Sequence, residues 1–290
     1  MPAAPESALF TTMSLVMLVD LHVHTTASNG VWKPRDVYTY VRAHDIELFS
    51  ITDHDFPQTV VVAPDLLERY IPGIEVETQL DGHAVHLLVY GHLHTRSQLI
   101  SHLARQRKRR LNRVLEMVLK LVENGVVVTL GDVVLESILA AARPGRKHVA
   151  NALVHLGVAQ SVDDAFQRYL NEGCPCYVPL ARLPAAQFVE LAHEAGGHVI
   201  IAHPMLLEQA EDLDRLRKLG VDGVEAWHPS AMMSDARRLE RYAHRHGLIV
   251  TAGSDCGKDG AQPGPFKLGR KSSKVLADRR WVMGRTLASL

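Results

Sequence analysis

The stretch Val19-Asp20-Leu21-His22-Val23-His24-Thr25-Thr26-Ala27-Ser28-Asn29-Gly30 follows an apolar run, Leu15 to Val19, and ends in small polar residues and a glycine. Residues two apart in a β-strand point to the same side. His22 and His24 therefore project together from the C-terminal end of a strand. Two imidazoles held this way, with Asp20 beside them, suit a divalent metal better than a packed core. A pair of structural histidines is the plain alternative, and it loses weight as further ligands appear downstream.

Outward from that stretch the chain alternates. Pro34 opens a helix carrying Val37, Tyr40, Val41 and His44. Ile46 to Thr52 is a short apolar strand ended by Asp53-His54-Asp55, and a short helix fits Pro64 to Tyr70. Strands follow at Gly73 to Thr78, with Glu75 and Glu77, and at Ala84 to Tyr90, with His86. From about His92 to Leu183 helices dominate: a stripe of Leu111, Val114, Leu115, Val118, Leu119 and Val122 stopped at Asn124-Gly125, then Val133 to Ala142 and His148 to Leu156. Ser161-Val162-Asp163-Asp164 resembles a capping box for a fourth helix, which ends at Asn171-Glu172-Gly173. The alternation then resumes, with strands at His198 to Ala202, Val221 to Trp227 and Leu248 to Ala252, and helices at Pro184 to Ala195, Asp212 to Leu219 and Ser234 to His246.

That gives seven short apolar strands, nearly all ending in His, Asp or Glu, which is the mark of a (β/α) barrel. The expected fold is α/β: a distorted seven-stranded (β/α) barrel with a helical insertion domain. The expected boundaries are a disordered leader over 1–17, a discontinuous barrel over 18–91 and 184–275, the insertion over 92–183 and a tail over 276–290.

Composition narrows the function classes. Of 290 residues, 47% are hydrophobic and 22% charged, and Lys+Arg equals Asp+Glu at 32 each. No global field draws the chain to long nucleic acid or to a membrane, so an anionic substrate must be attracted locally. The 17 histidines are many, and those at strand ends are the candidate ligands. Cys174, Cys176 and Cys256 form neither a disulfide framework nor a zinc finger, which fits a reducing cytoplasm. No stretch approaches the ~20 apolar residues of a membrane span. Met1 to Ser14 has an acid and no base, unlike a secretory signal.

In this order, DLHVHTTASNG (20–30), ITDHD (51–55), GIEVE (73–77), VHLLVYG (85–91), IAHP (201–204), GVEAWHP (223–229) and GSD (253–255) resemble the PHP (polymerase and histidinol phosphatase) family. RKHVANALVHLG and DDAFQRYLNEG extend the resemblance into the helical region, toward a branch of nucleoside 3′,5′-bisphosphate phosphatases and a 5′-to-3′ exonuclease of short RNAs. The resemblance implies a distorted seven-stranded barrel and a metal-dependent phosphoesterase. One metal would take His22, His24, Glu75 and Asp255, and a second would share Glu75 and add His86 and His203. Such mixed imidazole and carboxylate ligands suit Mn, Zn or Fe. The bound metals would lower the pKa of a bridging water, which attacks phosphorus as hydroxide.

Two departures from the family stand out. Its Ser-Asp-Gly is Ser28-Asn29-Gly30 here, and its GSD-x-His is Gly253-Ser254-Asp255-Cys256-Gly257. These remove two expected partners of His54 in a third metal position, so two metals per chain are expected. The crossover from Phe56 to Tyr70 is also short for the family.

His54 is then a candidate catalytic group, as a proton donor or a hydrogen-bond partner of the leaving group, against a structural role. His228 is the neighbour best placed to touch substrate, while Glu77, His83 and Glu225 read as supporting or surface groups. Arg143, Arg146 and His148, with Lys147, precede a helix whose first N–H groups favour an anion. The family's phosphate-binding Arg falls in this turn, as Arg143 or Arg146. The basic run Arg105 to Arg110 reads as a solvated face.

The expected substrate is a small nucleotide or short oligonucleotide, because long nucleic acid needs many basic contacts. No membrane or obligate protein partner is expected. The alternatives are a phosphatase for another small monoester, such as a histidinol-phosphate-like substrate, and a metal- or nucleotide-binding member without turnover.

Overall fold

The structure, a computed structural model, describes residues 16–28, 30–56, 62–91, 97–139, 144–256 and 262–269. Strand β1 (Val16–Val23) is buried on both sides from Val19 onward, as an interior strand between covered faces must be. It pairs in parallel with β2 (Leu48–Ile51) and antiparallel with β9 (Phe266–Gly269). Val16 and Met17, expected in the leader, belong to this strand, where Val16 pairs with Gly269 and Met17 with Leu268. The rest of the leader, up to residue 15, and the tail over 276–290 lie outside the described residues.

The second sheet has the order β5 (Leu183–Pro184), β3 (Gly73–Leu80), β4 (His83–Tyr90), β6 (His198–Ile201), β7 (Gly223–Trp227), β8 (Ile249–Ala252). β6, β7 and β8 run parallel to one another, whereas β3 and β4 form an antiparallel hairpin. Asp81 and Gly82, both with positive φ, make its two-residue turn, as an Asp-Gly hairpin requires. The hairpin changes what "strand end" means for His86. It lies in the N-terminal half of β4, and only because β4 runs backwards does it arrive beside Glu75 and Glu77. Isolated bridges tie the two sheets together: Val23 to Cys256 at one margin, and Phe49 to Tyr70 and His54 to Glu75 at the other.

The helices are α1 (Pro34–Ala43), α2 (Gln98–Glu123), α3 (Leu130–Leu139), α4 (Arg146–His155), α5 (Val162–Ala165), α6 (Ala185–Glu194), α7 (Asp212–Lys218) and α8 (Met233–His246). Half of the capping box expected before α5 is present: Ser161 Oγ accepts from Asp164 N at 3.1 Å, whereas Asp164 Oδ2 accepts from Gln160 N at 2.9 Å, one residue before Ser161. None of the helices among the described residues is long and apolar enough to cross a membrane.

Helix α2 spans 26 residues, about 39 Å at 1.5 Å per residue, and serves two cores. Leu99 and Leu103 pack into the main cluster around β1, β3, β4, β6, β7 and β8. Val114, Met117, Val118 and Leu121 belong to a separate cluster drawn wholly from residues between 114 and 178. The periodic stripe is therefore split. Val114 and Val118 face the core, but Leu111, Leu115, Leu119 and Val122 form an exposed row. Two apolar rows lie side by side on this helix, and the buried one is completed by Met117 and Leu121.

Candidate metal centre

His22 near the end of β1 and His24 just beyond it are fully buried, with their Nε2 atoms 3.2 Å apart. Glu75, from β3, stands at the hub. Its Oε2 lies 3.5 Å from His22 Nε2, 3.0 Å from His24 Nε2 and 3.1 Å from His54 Nδ1. Its Oε1 lies 2.7 Å from His86 Nδ1 and 3.2 Å from His203 Nε2. Asp255 Oδ1 approaches His24 Nε2 at 3.1 Å and His22 Nε2 at 3.7 Å. Among the described residues, two groups thus bring donor atoms within 4.8 Å of one another: His22, His24 and Glu75, and Glu75, His86 and His203.

The donor set fits a divalent cation. Glu75 Oε2 and His54 Nδ1 are buried 3.1 Å apart and make no hydrogen bond. Donors crowded together without hydrogen-bonding geometry are aimed at a shared point, and buried polar atoms are otherwise paired. Burial alone would raise the Glu75 carboxyl, but His54, His86 and His22 around it hold it well below the usual range. Burial pushes the His54 imidazole well below its ordinary value, so it presents a lone pair. Imidazoles and carboxylates together form the mixed ligand sets preferred by Zn, Mn and Fe.

Buried acids build the frame, among them Glu225, expected as a supporting or surface group. Asp20 accepts from Ser254 N at 2.9 Å, Ser254 Oγ at 2.7 Å and Gly264 N at 2.9 Å, and so clamps the loop that delivers Asp255. Burial lifts its carboxyl to about 6 despite these bonds. Asp53 accepts from Thr25 N at 2.7 Å and from the Thr25 and Ser28 hydroxyls, fixing the turn after His24. Glu225 on β7 is fully buried against His22 and the His203 backbone. Gly253 permits this crowding: a Cβ there would fall 2.2 Å from His22 Cβ and 2.6 Å from Glu225 Oε1. The only sequence signal for these acids is their place in apolar strands, where a charge needs a partner.

His228 also joins the centre. Its Nδ1 accepts from Ser230 N at 3.0 Å, so a neutral ring carries its proton on Nε2. That atom lies 3.8 Å from Asp255 Oδ2. His203, Asp255 and Asp55 all take left-handed backbone angles, with φ of 30°, 47° and 54°. A cavity of about 240 Å³ opens on His86, His203 and Asp255, walled by Ala84, Val85, Leu206 and Leu207.

The other predicted residues divide. His148 Nδ1 accepts the Gly145 N–H at 3.0 Å and so caps α4, while the Arg146 guanidinium sits 5.8 Å above the Phe166 ring. Arg143, Asn29 and Gly257 lie outside the described residues. The basic run is not simply a solvated face. Arg107 Nη1 donates to the Asp55 carbonyl at 2.7 Å, and Arg110 bonds both Asp55 and Glu77, because their burial beside the centre demands cations.

The chain is 30% identical over 250 residues to a 5′-3′ exoribonuclease of Haemophilus influenzae, covering 81% of this chain and 88% of that one. It is 28% identical over 246 residues to a 3′,5′-nucleoside bisphosphate phosphatase of Chromobacterium violaceum, covering 82% and 86%. A solved structure from Bifidobacterium adolescentis, called a metal-dependent phosphoesterase, superposes with a TM-score of 0.75 at 27% identity over 90% of this chain and 96% of that one. No protein-family model matches the chain.

Proposed function

The chain belongs to the PHP family of metal-dependent phosphoesterases, and from that premise we propose that it hydrolyses phosphate esters of nucleoside 3′,5′-bisphosphates or of short oligonucleotides. It is a metal-dependent phosphoric ester hydrolase. The observation that carries the reading is the division of Glu75, whose two oxygens face two different imidazole sets. In this reading His22, His24, Glu75 and Asp255 hold one cation, and Glu75, His86 and His203 hold another. Mn, Zn and Fe suit these donors. Two such cations would neutralise the phosphate oxygens and acidify the attacking water.

The chain's own groups supply the rest. His228 Nε2–H is the hydrogen-bond donor available to a phosphate or leaving oxygen beside Asp255. His54, stacked on His24 with centroids 4.8 Å apart, completes the wall on the β2 side and is kept as a group acting on the leaving oxygen. Arg146 or Arg143 is kept as the partner of the second phosphate, and His148 caps α4 through Gly145. The nucleoside enters the cavity walled by Leu206 and Leu207, whose volume is below the ~300–1,000 Å³ of drug-sized pockets. It admits a single terminal nucleoside.

The sheets and their bridges support a distorted barrel of β1, β2, β3, β4, β6, β7 and β8, with residues 92–183 as the insertion. A cytoplasmic location without a membrane anchor or protein partner completes the reading. The test is purified protein with Mn²⁺ against adenosine 3′,5′-bisphosphate, a short RNA and a panel of simple phosphomonoesters. Phosphate or mononucleotide release from the nucleotides is expected. No release from either nucleotide substrate, with or without metal, overturns the proposal, and release confined to simple monoesters moves it to another substrate.

A further inference from the structure

Glu225 is a buried carboxylate whose partners both belong to the metal centre. It sits on β7 with no exposed surface, held by His22 and the His203 backbone. Both oxygens are engaged, on segments from two other strands. Oε1 is 3.1 Å and Oε2 3.3 Å from His22 Nδ1, and Oε2 accepts the backbone N–H of His203 at 2.7 Å. His22 and His203 belong to the two different imidazole sets around Glu75.

We propose that Glu225 is a positioning residue that fixes one ligand of each cation set. The inference rests on the metal-centre reading above. The argument is one of hydrogen-bond inventory. A neutral imidazole has one N–H and one lone pair. When His22 Nδ1–H donates to Glu225, Nε2 must carry the lone pair, and Nε2 is the atom that faces His24, Glu75 and Asp255. A carboxylate partner on the outer nitrogen of a ligating histidine sets its tautomer and orientation.

The second oxygen does a different job. His203 is left-handed, at φ 30° and ψ 57°, a conformation that a residue with a Cβ does not hold unaided. Its N–H finds its acceptor in Glu225 Oε2. Holding that N–H holds the turn into Pro204, and with it the placement of His203 Nε2 beside Glu75 Oε1.

An amide in place of this carboxylate cannot do both jobs. Glu225→Gln has one acceptor oxygen and one NH₂ group. If the oxygen faces the His203 N–H, the NH₂ faces His22 Nδ1 and favours the tautomer with its proton on Nε2, which blocks ligation. If the oxygen faces His22, the NH₂ opposes the His203 N–H. Glu225→Asp keeps two acceptors on a stem one carbon shorter.

The order of the two variants separates positioning from packing. Filling space alone predicts that Gln, the isostere, behaves as wild type and that Asp is the poorer replacement. Positioning predicts the reverse. The experiment is Mn²⁺ titration of chelator-treated wild type, Glu225→Gln and Glu225→Asp, followed by calorimetry and elemental analysis. Thermal unfolding of the metal-free forms runs alongside. Expected are ~10–100-fold weaker Mn²⁺ binding by Glu225→Gln and closer to wild-type binding by Glu225→Asp. Imidazole ¹⁵N shifts should put the His22 proton on Nδ1 in Zn²⁺-loaded wild type. Gln binding Mn²⁺ as tightly as wild type, or a His22 Nδ1 without its proton in the Zn²⁺-loaded wild type, overturns the inference even if the Gln variant proves unstable. Wild type that binds no metal overturns instead the metal-centre reading on which it rests.

Discussion

Arg110 reaches from the middle of α2 to Asp55, the residue after His54, and places its Nε 2.5 Å from Asp55 Oδ2. Its Nη2 takes Glu77 at 3.1 Å, and Arg182 holds the other Glu77 oxygen. The helical region is thus fastened to the two segments that carry His54 and Glu75. Asp55 is 1% exposed, so Arg110→Met leaves a buried charge unpaired, a loss of about 3–5 kcal/mol. Urea unfolding should show that loss, and adding Asp55→Asn should recover most of it. A single-variant loss below about 1 kcal/mol would show that the fastening is weaker than its geometry.

Glu77 gives this network a pH signature in metal-free protein. Burial would raise its carboxyl, but Arg110 and Arg182 bring it down from 4.5 to about 2. The folded value lies below the unfolded one, so the contribution is complete above about pH 5 and fades as pH falls toward 2. It amounts to roughly 3 kcal/mol. Unfolding free energies of wild type should therefore decline across that window more steeply than those of Glu77→Gln. Parallel curves would remove Glu77 from the acid response.

Removing the hub should abolish both cation positions together. With Mn²⁺ at about a hundred times its dissociation constant, wild type should gain about 2.7 kcal/mol of stability, and Glu75→Gln under about 1 kcal/mol. Elemental analysis should fall from two ions per chain to none, with activity lost to at least ~100-fold. One ion retained would mean that Glu75 serves a single position.

Leu206 tests the nucleoside cavity. It is 57% exposed, so Leu206→Ala leaves the fold intact while stripping one wall. One lost apolar contact of this size changes binding by about 1–3 kcal/mol. KM for adenosine 3′,5′-bisphosphate should rise roughly tenfold with kcat within about twofold. The abasic ribose bisphosphate should be unaffected, and an equal rise for both substrates would place the base elsewhere.

Much of this was legible before any coordinates. The strands at 46–52, 198–202, 221–227 and 248–252 are short apolar runs closed by His, Asp or Glu, and such runs have few other ways to be buried. His22 and His24 share a side by the two-residue period alone. What stayed hidden was tertiary. Periodicity identifies two apolar rows on α2 but not which one faces the core, so Leu115 and Leu119 look like Val114 and Val118. Phe266 to Gly269 becomes a strand only because β1 offers an open edge. Arg107 and Arg110 look like a solvated charge run until Asp55 and Glu77 are found beneath them. Glu225 shows its period-2 position plainly, but its partners lie 203 and 22 residues away.

The left-handed backbone at Asp55, His203 and Asp255 sets stability against function at known positions. Each such residue with a side chain holds about 1–3 kcal/mol of strain, which glycine would release. Heat selection on this protein without a demand for turnover should therefore return glycine at 203 and 255, but not at 55, where the ion pair outweighs the strain. At 203 and 255 the gain in melting temperature and the loss of a metal-facing donor are the same event. At 55 it removes the carboxylate that Arg110 grips. Thermal robustness and catalysis compete here residue for residue, so a hardier variant that stays active must find its stability elsewhere.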